Sequence, residues 1–147
     1  MRTMSLDLGS RTIGVAVSDL TGLIANGVET IRRTSPERDF VRIGELVNQW
    51  EVEEIVLGYP KNMNGTIGER AELTKAFAEE LRSRFPDVTV VLWDERLSTV
   101  AAERVLIEAD LQRKKRRKVI DMMAAVVILQ NYLDSKMLRR RNNQPEP

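Results

Sequence analysis

The order of hydrophobic patterns along this chain constrains its fold more than any other feature. Three short segments rich in β-branched and apolar residues come first, near residues 4–8, 13–18 and 24–31, and polar links join them. They predict three antiparallel strands. From Ser35 onward, helical and strand-like spacings of apolar residues alternate. The predicted order is β-β-β-α-β-α-β-α-α, which indicates an α/β fold with a five-stranded mixed sheet and helices on both faces.

Turn residues and changes of period divide the later part of the chain. Right-handed crossovers place the fourth and fifth strands beside the first strand. The predicted strands there lie over 54–58 and 88–93, and a loop lies over 62–68. Four helices are predicted. The first runs from Ser35-Pro36 to about Trp50, and the second runs over 69–85, with apolar residues at Leu73, Phe77 and Leu81. The third begins at Ser98 or Thr99, and the fourth runs from about 119 to 138.

The chain contains neither histidine nor cysteine. This excludes disulfides, thiolate nucleophiles and thiolate zinc sites, and it removes the commonest acid–base side chain. Hydrolytic chemistry would have to use carboxylates, lysine, tyrosine, a hydroxyl group or a metal ion. Carboxylates that hold a hard cation such as Mg²⁺ are therefore the favoured option.

The length of 147 residues fits one domain. We predict a single domain over 1–138 and a basic, disordered tail over 139–147. No apolar run approaches the roughly 20 residues that span a bilayer, and the N-terminus lacks the apolar region of a secretory signal. The prediction is a cytoplasmic protein without a membrane partner, and no oligomeric state is predicted.

Three carboxylates are the candidate catalytic and metal-binding residues. Asp7 lies inside the first predicted strand, Glu95 follows the last strand, and Asp121 lies near the start of the last helix. The carboxyl ends of parallel strands meet at one edge of a sheet, where open α/β folds bind ligands. The predicted topology therefore brings these three residues together.

Asp121 shares a helix face with Ala124, Ala125 and Ile128, because these follow it at i+3, i+4 and i+7. That face is apolar and should pack against the sheet, and the alanines would let the helix approach closely. Converging carboxylates repel one another unless a cation lies between them. Two Mg²⁺ or Mn²⁺ ions about 4 Å apart would remove the repulsion and could clamp an in-line phosphoryl displacement.

Each carboxylate also has a simpler interpretation. Asp7 could cap the following turn, and Asp121 could be an acidic residue favoured by a helix N-terminus. Asp94 and Glu95 could be a polar strand end. Asp94 also competes with Glu95 for the site, since strand alternation puts the two on opposite faces. The pattern alone leaves both open.

Charge along the chain is uneven although the net charge is only +1. Arg113 to Lys118 are six consecutive cations in a predicted link between the last two helices, and Arg139 to Arg141 add three more. Such blocks favour a polyanion partner, with a solvated loop and tail as the alternative. For Arg96, a structural ion pair is an equal alternative. The predicted nucleic-acid contacts are Arg11, Lys61, Asn62, Arg96, Arg113, Lys114, Lys115, Arg116, Arg117 and Lys118.

Aromatic residues are few, at 5% of the chain, and both tryptophans fall in apolar segments. Trp50 and Trp93 are therefore predicted to lie in the core. Base stacking on aromatic rings receives little support, which favours recognition of the backbone or shape of a nucleic acid over reading of its sequence.

Four segments of the chain resemble the YqgF/RuvX family. The segment 6–16, LDLGSRTIGVA, is similar to that family's opening strand and turn, and 58–66 followed by 69–71 is similar to its second motif. The segment 94–99, DERLST, resembles the third motif, and the helix of Asp121 resembles the last one. The resemblance covers nearly the whole chain.

This resemblance implies a ribonuclease H-like fold and a metal-dependent nuclease. Members are described as Holliday-junction resolvases or as enzymes that trim the 5′ end of precursor small-subunit ribosomal RNA. The implied partners are structured RNA or branched DNA, and ribosomal precursor particles. By the same resemblance, Asp7, Glu95 and Asp121 are the acidic triad.

Two other functions fit parts of the sequence. The basic block would equally suit a non-catalytic protein that binds RNA during ribosome assembly. An Asp-x-Gly strand and turn, as at Asp7 to Gly9, also opens actin-like kinases and ATPases. Those enzymes close two domains over a nucleotide, and 147 residues leave room for one.

Overall fold

The computed structural model describes residues 2–59, 69–94 and 116–143, and its side chains over 2–59, 71–93 and 122–138. Five strands and three helices lie within these ranges. The strands are β1 Arg2–Leu8, β2 Thr12–Ser18, β3 Ala25–Arg32, β4 Val52–Tyr59 and β5 Thr89–Asp94. The helices are α1 Pro36–Trp50, α2 Glu69–Arg84 and α3 Arg116–Asn143.

The five strands form one mixed sheet in the order β3-β2-β1-β4-β5. β1 pairs antiparallel with β2, and β2 pairs antiparallel with β3. β4 is parallel to both β1 and β5. The predicted fold class is confirmed, and β1 is the central strand, with a partner on each edge.

Two tight links join the first three strands. Gly9 donates its backbone N–H to the carbonyl of Thr12 over 2.9 Å. A Cβ atom on Gly9 would lie 2.9 Å from that carbonyl oxygen, so this turn needs a residue without a side chain. Between β2 and β3, the Asp19 carboxylate accepts the backbone N–H groups of Leu23 and Ile24 over 3.0 and 3.2 Å. Short local bonds thus make the antiparallel hairpins.

Helix α1 begins where the sequence predicted it. The Ser35 hydroxyl accepts the backbone N–H of Arg38 over 3.4 Å, and Pro36 takes the first helical position. Both residues suit a helix start, since serine satisfies a free amide and proline lacks one. The helix ends at Trp50, and the residue that caps it, Glu51, has a positive φ of 52°.

Apolar side chains fill both faces of the sheet. Helices α1 and α2 cover one face, and α3 covers the other. The α1/α2 side contains large, fully buried side chains, among them Met4, Leu6, Ile13, Ile43, Leu46, Leu57 and Leu81. The α3 side is made of two smaller clusters, one around Trp93, Val127 and Ile128, and one around Ala16, Ala25, Ala125 and Leu129. Trp93 is buried as predicted, and Trp50 packs against the first core from a partly buried position.

The last described helix is longer than predicted at both ends. It begins at Arg116 rather than near 119, so Arg116 to Lys118 belong to a helix rather than to a linking loop. It continues to Asn143, so Arg139 to Arg141 are helical rather than part of a disordered tail. The physical reason is local, because no glycine or proline interrupts 116–143 and lysine, arginine and methionine favour helices.

Leu73 lies off the buried face of helix α2. The helix spans Glu69–Arg84, close to its predicted range, and Leu73 is 62% exposed. The buried face of α2 is formed by Ala71, Thr74, Phe77, Ala78 and Leu81, and Leu73 lies beside that face rather than on it.

Several predicted segments lie outside the described residues. These are the loop over 62–68, the helix expected from Ser98 or Thr99, and the stretch from Leu111 to Lys115. Among the described helices, none has an apolar stretch long enough to cross a membrane.

Candidate active site

Asp7 lies near the carboxyl end of the central strand. Its backbone is paired with Gly14 of β2, and the preceding residue, Leu6, is paired with Leu57 of β4. The Asp7 side chain is neither fully buried nor fully exposed. Parallel β4 and β5 end at the same edge of the sheet, where Tyr59 pairs with Asp94. Asp7 is thus held at the edge where open α/β sheets bind ligands.

The alternation of side chains along β1 decides which face Asp7 occupies. Met4 and Leu6 are in the core beneath α1 and α2. Ser5 points to the opposite face, where its hydroxyl donates to the carbonyl oxygen of Ala125 in α3 over 2.6 Å. Successive strand residues alternate between faces, so Asp7 shares the α3 face with Ser5.

Two contacts fix the direction of α3 across this face. Near the start of β1, Thr3 is paired with Glu54, and the Lys136 ammonium lies 3.1 Å from the Glu54 carboxylate. Farther along β1, Ser5 meets Ala125. Moving toward the carboxyl end of β1 therefore means moving toward the N-terminus of α3, so the strand and the helix are antiparallel.

This direction places the backbone of Asp121 at the level of Asp7. Two residues along a strand span about 6.6 Å, and four residues along a helix span about 6 Å. The step from Ser5 to Asp7 thus matches the step from Ala125 to Asp121. The side chain of Asp121 lies outside the described residues, so its contact with Asp7 stays a prediction.

Small residues bring α3 close to the sheet. Ala124 and Ala125 are fully buried beneath α3, which confirms that the alanine face packs inward. The approach is also close at Gly27 of β3, where an added Cβ atom would lie 2.9 Å from Cγ of Met122. Met122 follows Asp121 directly, so the Gly27 contact sets the height of the helix start. This contact could not be predicted from the sequence, because Gly27 and Met122 are far apart in the chain and only the tertiary fold brings them together.

The third predicted carboxylate, Glu95, follows β5 in the sequence. Trp93 packs on the α3 face, with its ring edge-on to Tyr132 at 5.3 Å between centroids. Leu92 packs against the opposite core. Glu95 and the side chain of Asp94 lie outside the described residues, so the choice between these carboxylates stays a prediction.

The turn after β1 is tied to the end of β3 by Arg33. The Arg33 guanidinium donates through Nη1 to the carbonyl oxygen of Gly9 over 2.7 Å and through Nε to the carboxylate of Asp39 over 3.3 Å. The Arg33 backbone N–H also donates to the carbonyl of Arg11 over 2.9 Å. Asp39 is 3% exposed, so this ion pair is anchored in the protein.

Two arginines, Arg32 and Arg33, lie beside the turn that carries the predicted nucleic-acid contact Arg11. Arg11 is exposed in the turn, as the prediction of a nucleic-acid contact requires, and Arg32 is exposed at the end of β3. The register pairs Arg32 with Thr12, so it lies next to the same turn. Sequence reasoning missed Arg32 and Arg33, although the hairpin register could have indicated them.

The other predicted nucleic-acid contacts divide into two groups. Arg116, Arg117 and Lys118 form the start of α3, before Asp121, and their side chains lie outside the described residues. Their backbone is at the same edge of the sheet as the end of β1. The remaining contacts lie wholly outside the described residues, namely Lys61, Asn62, Arg96, Arg113, Lys114 and Lys115.

The surroundings of Asp7 fit a cation held by oxygen ligands. A carboxylate at an accessible strand end is a suitable ligand for Mg²⁺ or Mn²⁺. Its cross-strand neighbour on the same face is Gly14, which adds no side chain beside the carboxylate. Within the side chains that the structure describes, no three acidic groups cluster, and Asp7 is the one triad member among them.

Comparison with known proteins agrees with this fold. The Thermus thermophilus RuvC in complex with a Holliday junction substrate aligns with a TM-score of 0.59 at 15% identity, over 93% of this chain and 96% of that one. The fowlpox virus Holliday junction resolvase aligns with a TM-score of 0.54 at 12% identity, over 92% of this chain and 99% of the other. These similarities define the class of the fold, which is ribonuclease H-like.

Sequence similarity defines the family. The model of RuvX, described as a Holliday junction resolvase, matches residues 1–135, and the chain belongs to this family. A relative from Geobacillus kaustophilus, named "Putative pre-16S rRNA nuclease", is 59% identical over 92% of this chain and 99% of its own length. A relative of the same name from Thermoanaerobacter pseudethanolicus is 56% identical over 92% and 98%. The predicted resemblance to a nuclease family is confirmed.

Proposed function

We propose that this protein is a metal-dependent nuclease that processes the 5′ end of pre-16S ribosomal RNA. The observation that carries the proposal is the antiparallel packing of α3 on β1, which brings the backbone of Asp121 level with Asp7 at the carboxyl end of β1. The curated relatives at 56–59% identity bear the corresponding name. Resolution of Holliday junctions is the second candidate, because the family model is described by that activity.

The chain's own groups would divide the work in a simple way. Asp7 and Asp121, with Glu95, which follows β5 in the sequence, would hold the cations. Two Mg²⁺ or Mn²⁺ ions held there would lower the pKa of the attacking water and would stabilise the negative charge on the departing oxygen. The chain has no histidine to serve as a general base. The rigid placement of Asp7 between two strands would keep the ligand geometry fixed.

Basic groups near this edge would bind the substrate backbone. Arg11 and Arg32 are exposed there, and within the described residues neither makes an ion pair. Phosphate contacts of this kind provide affinity without reading the base sequence. The start of α3, with Arg116, Arg117 and Lys118, would extend the same surface.

A cleavage panel with Mn²⁺ tests the proposal. The substrates are a pre-16S RNA fragment with its 5′ extension, a Holliday junction and a linear DNA duplex. The variants are Asp7→Asn and, as a matched control, Asp87→Asn, which alters an exposed carboxyl in the turn before β5. Loss of a second-shell group at a metal site costs about 10–100-fold, so Asp7→Asn should lose at least about 100-fold, and the control should lose nothing.

The panel also separates the candidate roles. Preferred cleavage of the RNA extension supports ribosomal RNA processing, and preferred cleavage of the four-way junction supports resolution instead. If the protein binds RNA but cleaves no substrate with Mn²⁺, the proposed nuclease function is wrong and the protein is a non-catalytic RNA-binding protein. Full activity of Asp7→Asn would exclude the proposed site.

A further inference from the structure

A cavity of about 330 Å³ adjoins the end of β1 on the face opposite Asp7. Leu8, which follows Asp7 and therefore points to the other face, forms part of its wall. The turn after β1 and helix α2 form most of the remainder. The lining residues are Leu8, Gly9, Ser10, Arg33, Leu73 and Thr74.

One side of the cavity is polar and positively charged. Arg33 donates through Nε to Asp39 and through Nη1 to Gly9, and its Nη2 makes no hydrogen bond within the described residues. Ser10 is exposed, and its hydroxyl has no hydrogen-bond partner within the described residues. Arg11 is exposed in the same turn, so two arginines lie near the one anchored carboxylate described there, that of Asp39. This surplus favours an anionic ligand such as a phosphate.

The other side of the cavity is apolar. Leu73 is 62% exposed although it lies in an amphipathic helix whose core face is complete without it. A single exposed leucine needs no explanation by itself, but Leu73 lines a cavity next to the predicted catalytic edge. An apolar wall opposite a cationic wall matches a nucleotide, which joins a phosphate to a sugar and a flat base.

We propose that this cavity is a subsite for one unpaired nucleotide next to the phosphate that is cut. The sugar or base would contact Leu73 and Leu8, and the phosphate would contact Ser10 and Arg33. Ligand pockets hold about 300–1,000 Å³, so this volume suits one nucleotide and is too small for a base pair. The inference rests on the proposed nuclease function, because it takes Asp7 as the catalytic edge.

Leu73→Ala tests the subsite, and Val41→Ala is its matched control. Val41 is 60% exposed in α1 and lines none of the cavities described in the structure. Alanine suits an exposed helix position, so neither change should unfold the protein. Binding is measured in EDTA by fluorescence anisotropy, with an RNA hairpin that carries a 5′ single-stranded extension and with the same hairpin with a blunt end.

Leu73→Ala should weaken binding of the extended hairpin by roughly five-fold, since contacts to one base contribute on that order. Binding of the blunt hairpin, and both affinities of Val41→Ala, should change less than about two-fold. With Mn²⁺ present, Leu73→Ala should raise KM for the extended RNA and leave kcat unchanged. Leu73→Glu should weaken binding further, because a carboxylate would repel the phosphate.

The failure of this inference is distinguishable from failure of the proposed function. If the protein cuts RNA and Leu73→Ala behaves like Val41→Ala on both hairpins, the subsite is wrong and the nuclease stands. If no cleavage occurs but Leu73→Ala weakens binding of the extended hairpin alone, the nucleotide subsite stands and the proposed nuclease function is wrong. An equal loss on both hairpins would also overturn the subsite.

Discussion

The α1/α2 face of the sheet and the part of the α3 face over β2 and β3 are built from strand side chains of different size. Beneath α1 and α2, large residues such as Leu6, Ile43 and Leu81 are fully buried. Beneath α3, the contacts include Ala16, Ala25 and Ala125, and Gly27 touches Met122. Large side chains bury more apolar area and contribute more stability, whereas small ones set how closely a helix approaches. The first face thus mainly stabilises the fold, and the second positions the helix of Asp121.

The largest expected effect on stability comes from a substitution in the core beneath α1 and α2. Leu81→Ala should lower the free energy of unfolding by about 2–5 kcal/mol, because Leu81 is fully buried and its loss leaves a cavity. Leu73→Ala is the control in the same helix and should change stability by less than about 0.5 kcal/mol. Urea denaturation measures both. Equal stability of the two variants would contradict the proposed division of the faces.

The second effect is expected on the α3 side. Gly27→Ala would place a Cβ atom 2.9 Å from Met122 Cγ and should push the start of α3 away from the sheet. Crowding of this kind costs about 1–3 kcal/mol, and a small misplacement of Asp121 should lower kcat by about tenfold or more. Calorimetry should show weaker Mn²⁺ binding as well.

Two further variants make this comparison specific. Met122→Ala should restore kcat and Mn²⁺ affinity in the Gly27→Ala background, since it removes the crowding atoms. Gly44→Ala is the control on the α1/α2 side, where an added Cβ would lie 3.2 Å from the Phe85 ring. It should leave the activity of the folded protein unchanged. If Gly44→Ala lowered kcat as much as Gly27→Ala, the α3 face would have no special role in positioning.

The smallest expected effect concerns an ion pair between α1 and β3. Arg42 donates through Nε to Glu29 over 2.9 Å, and this hydrogen bond lowers the pKa of Glu29 below 4.5. A carboxyl whose pKa is lowered on folding stabilises the protein above the unfolded pKa, and the contribution is lost as pH falls through the folded pKa. Both side chains are partly exposed, so the contribution should be only about 0.5 kcal/mol.

Glu29→Gln should therefore be less stable than the parent protein at pH 7, and this difference should shrink as the pH falls below 4.5. Glu53→Gln is the control, since Glu53 is exposed and makes no ion pair within the described residues. Thermal unfolding at pH 3 to 7 measures the difference. A difference between Glu29→Gln and the parent that grew on acidification would contradict the assigned direction of the pKa shift.

The sequence predicted most of the architecture because local patterns carry it. The strand order, the Ser35-Pro36 helix start and the inward alanines of α3 follow from periodicity and helix-capping rules. The exposure of Leu73 could not be predicted, because its i+4 spacing to Phe77 indicates a shared helix face but not how wide the buried face is. The predicted ends of α3 were too short, because runs of charged residues occur in solvent-exposed helices as well as in loops.

The candidate site was predicted less completely. The placement of Asp7 on the α3 face followed from its strand position once Ser5 and Ala125 were seen to meet. Gly27 was not predictable, since its contact with Met122 joins residues far apart in the sequence. Arg33 was missed because its role depends on Gly9 and Asp39, which only the folded chain brings to it. The choice between Asp94 and Glu95 as the metal ligand stays open, because strand alternation shows that they point to opposite faces but not which of them faces the site.

The central position of β1 has a consequence for how the protein fluctuates. Amides of a strand that is paired on both edges exchange with solvent only through large-scale opening, whereas edge strands and helix ends open locally. Asp7 lies in such a strand, so we expect the amides of β1 to exchange with solvent more slowly than those of the edge strands β3 and β5. Asp7 is thus expected to keep its position while the edges of the sheet open and close.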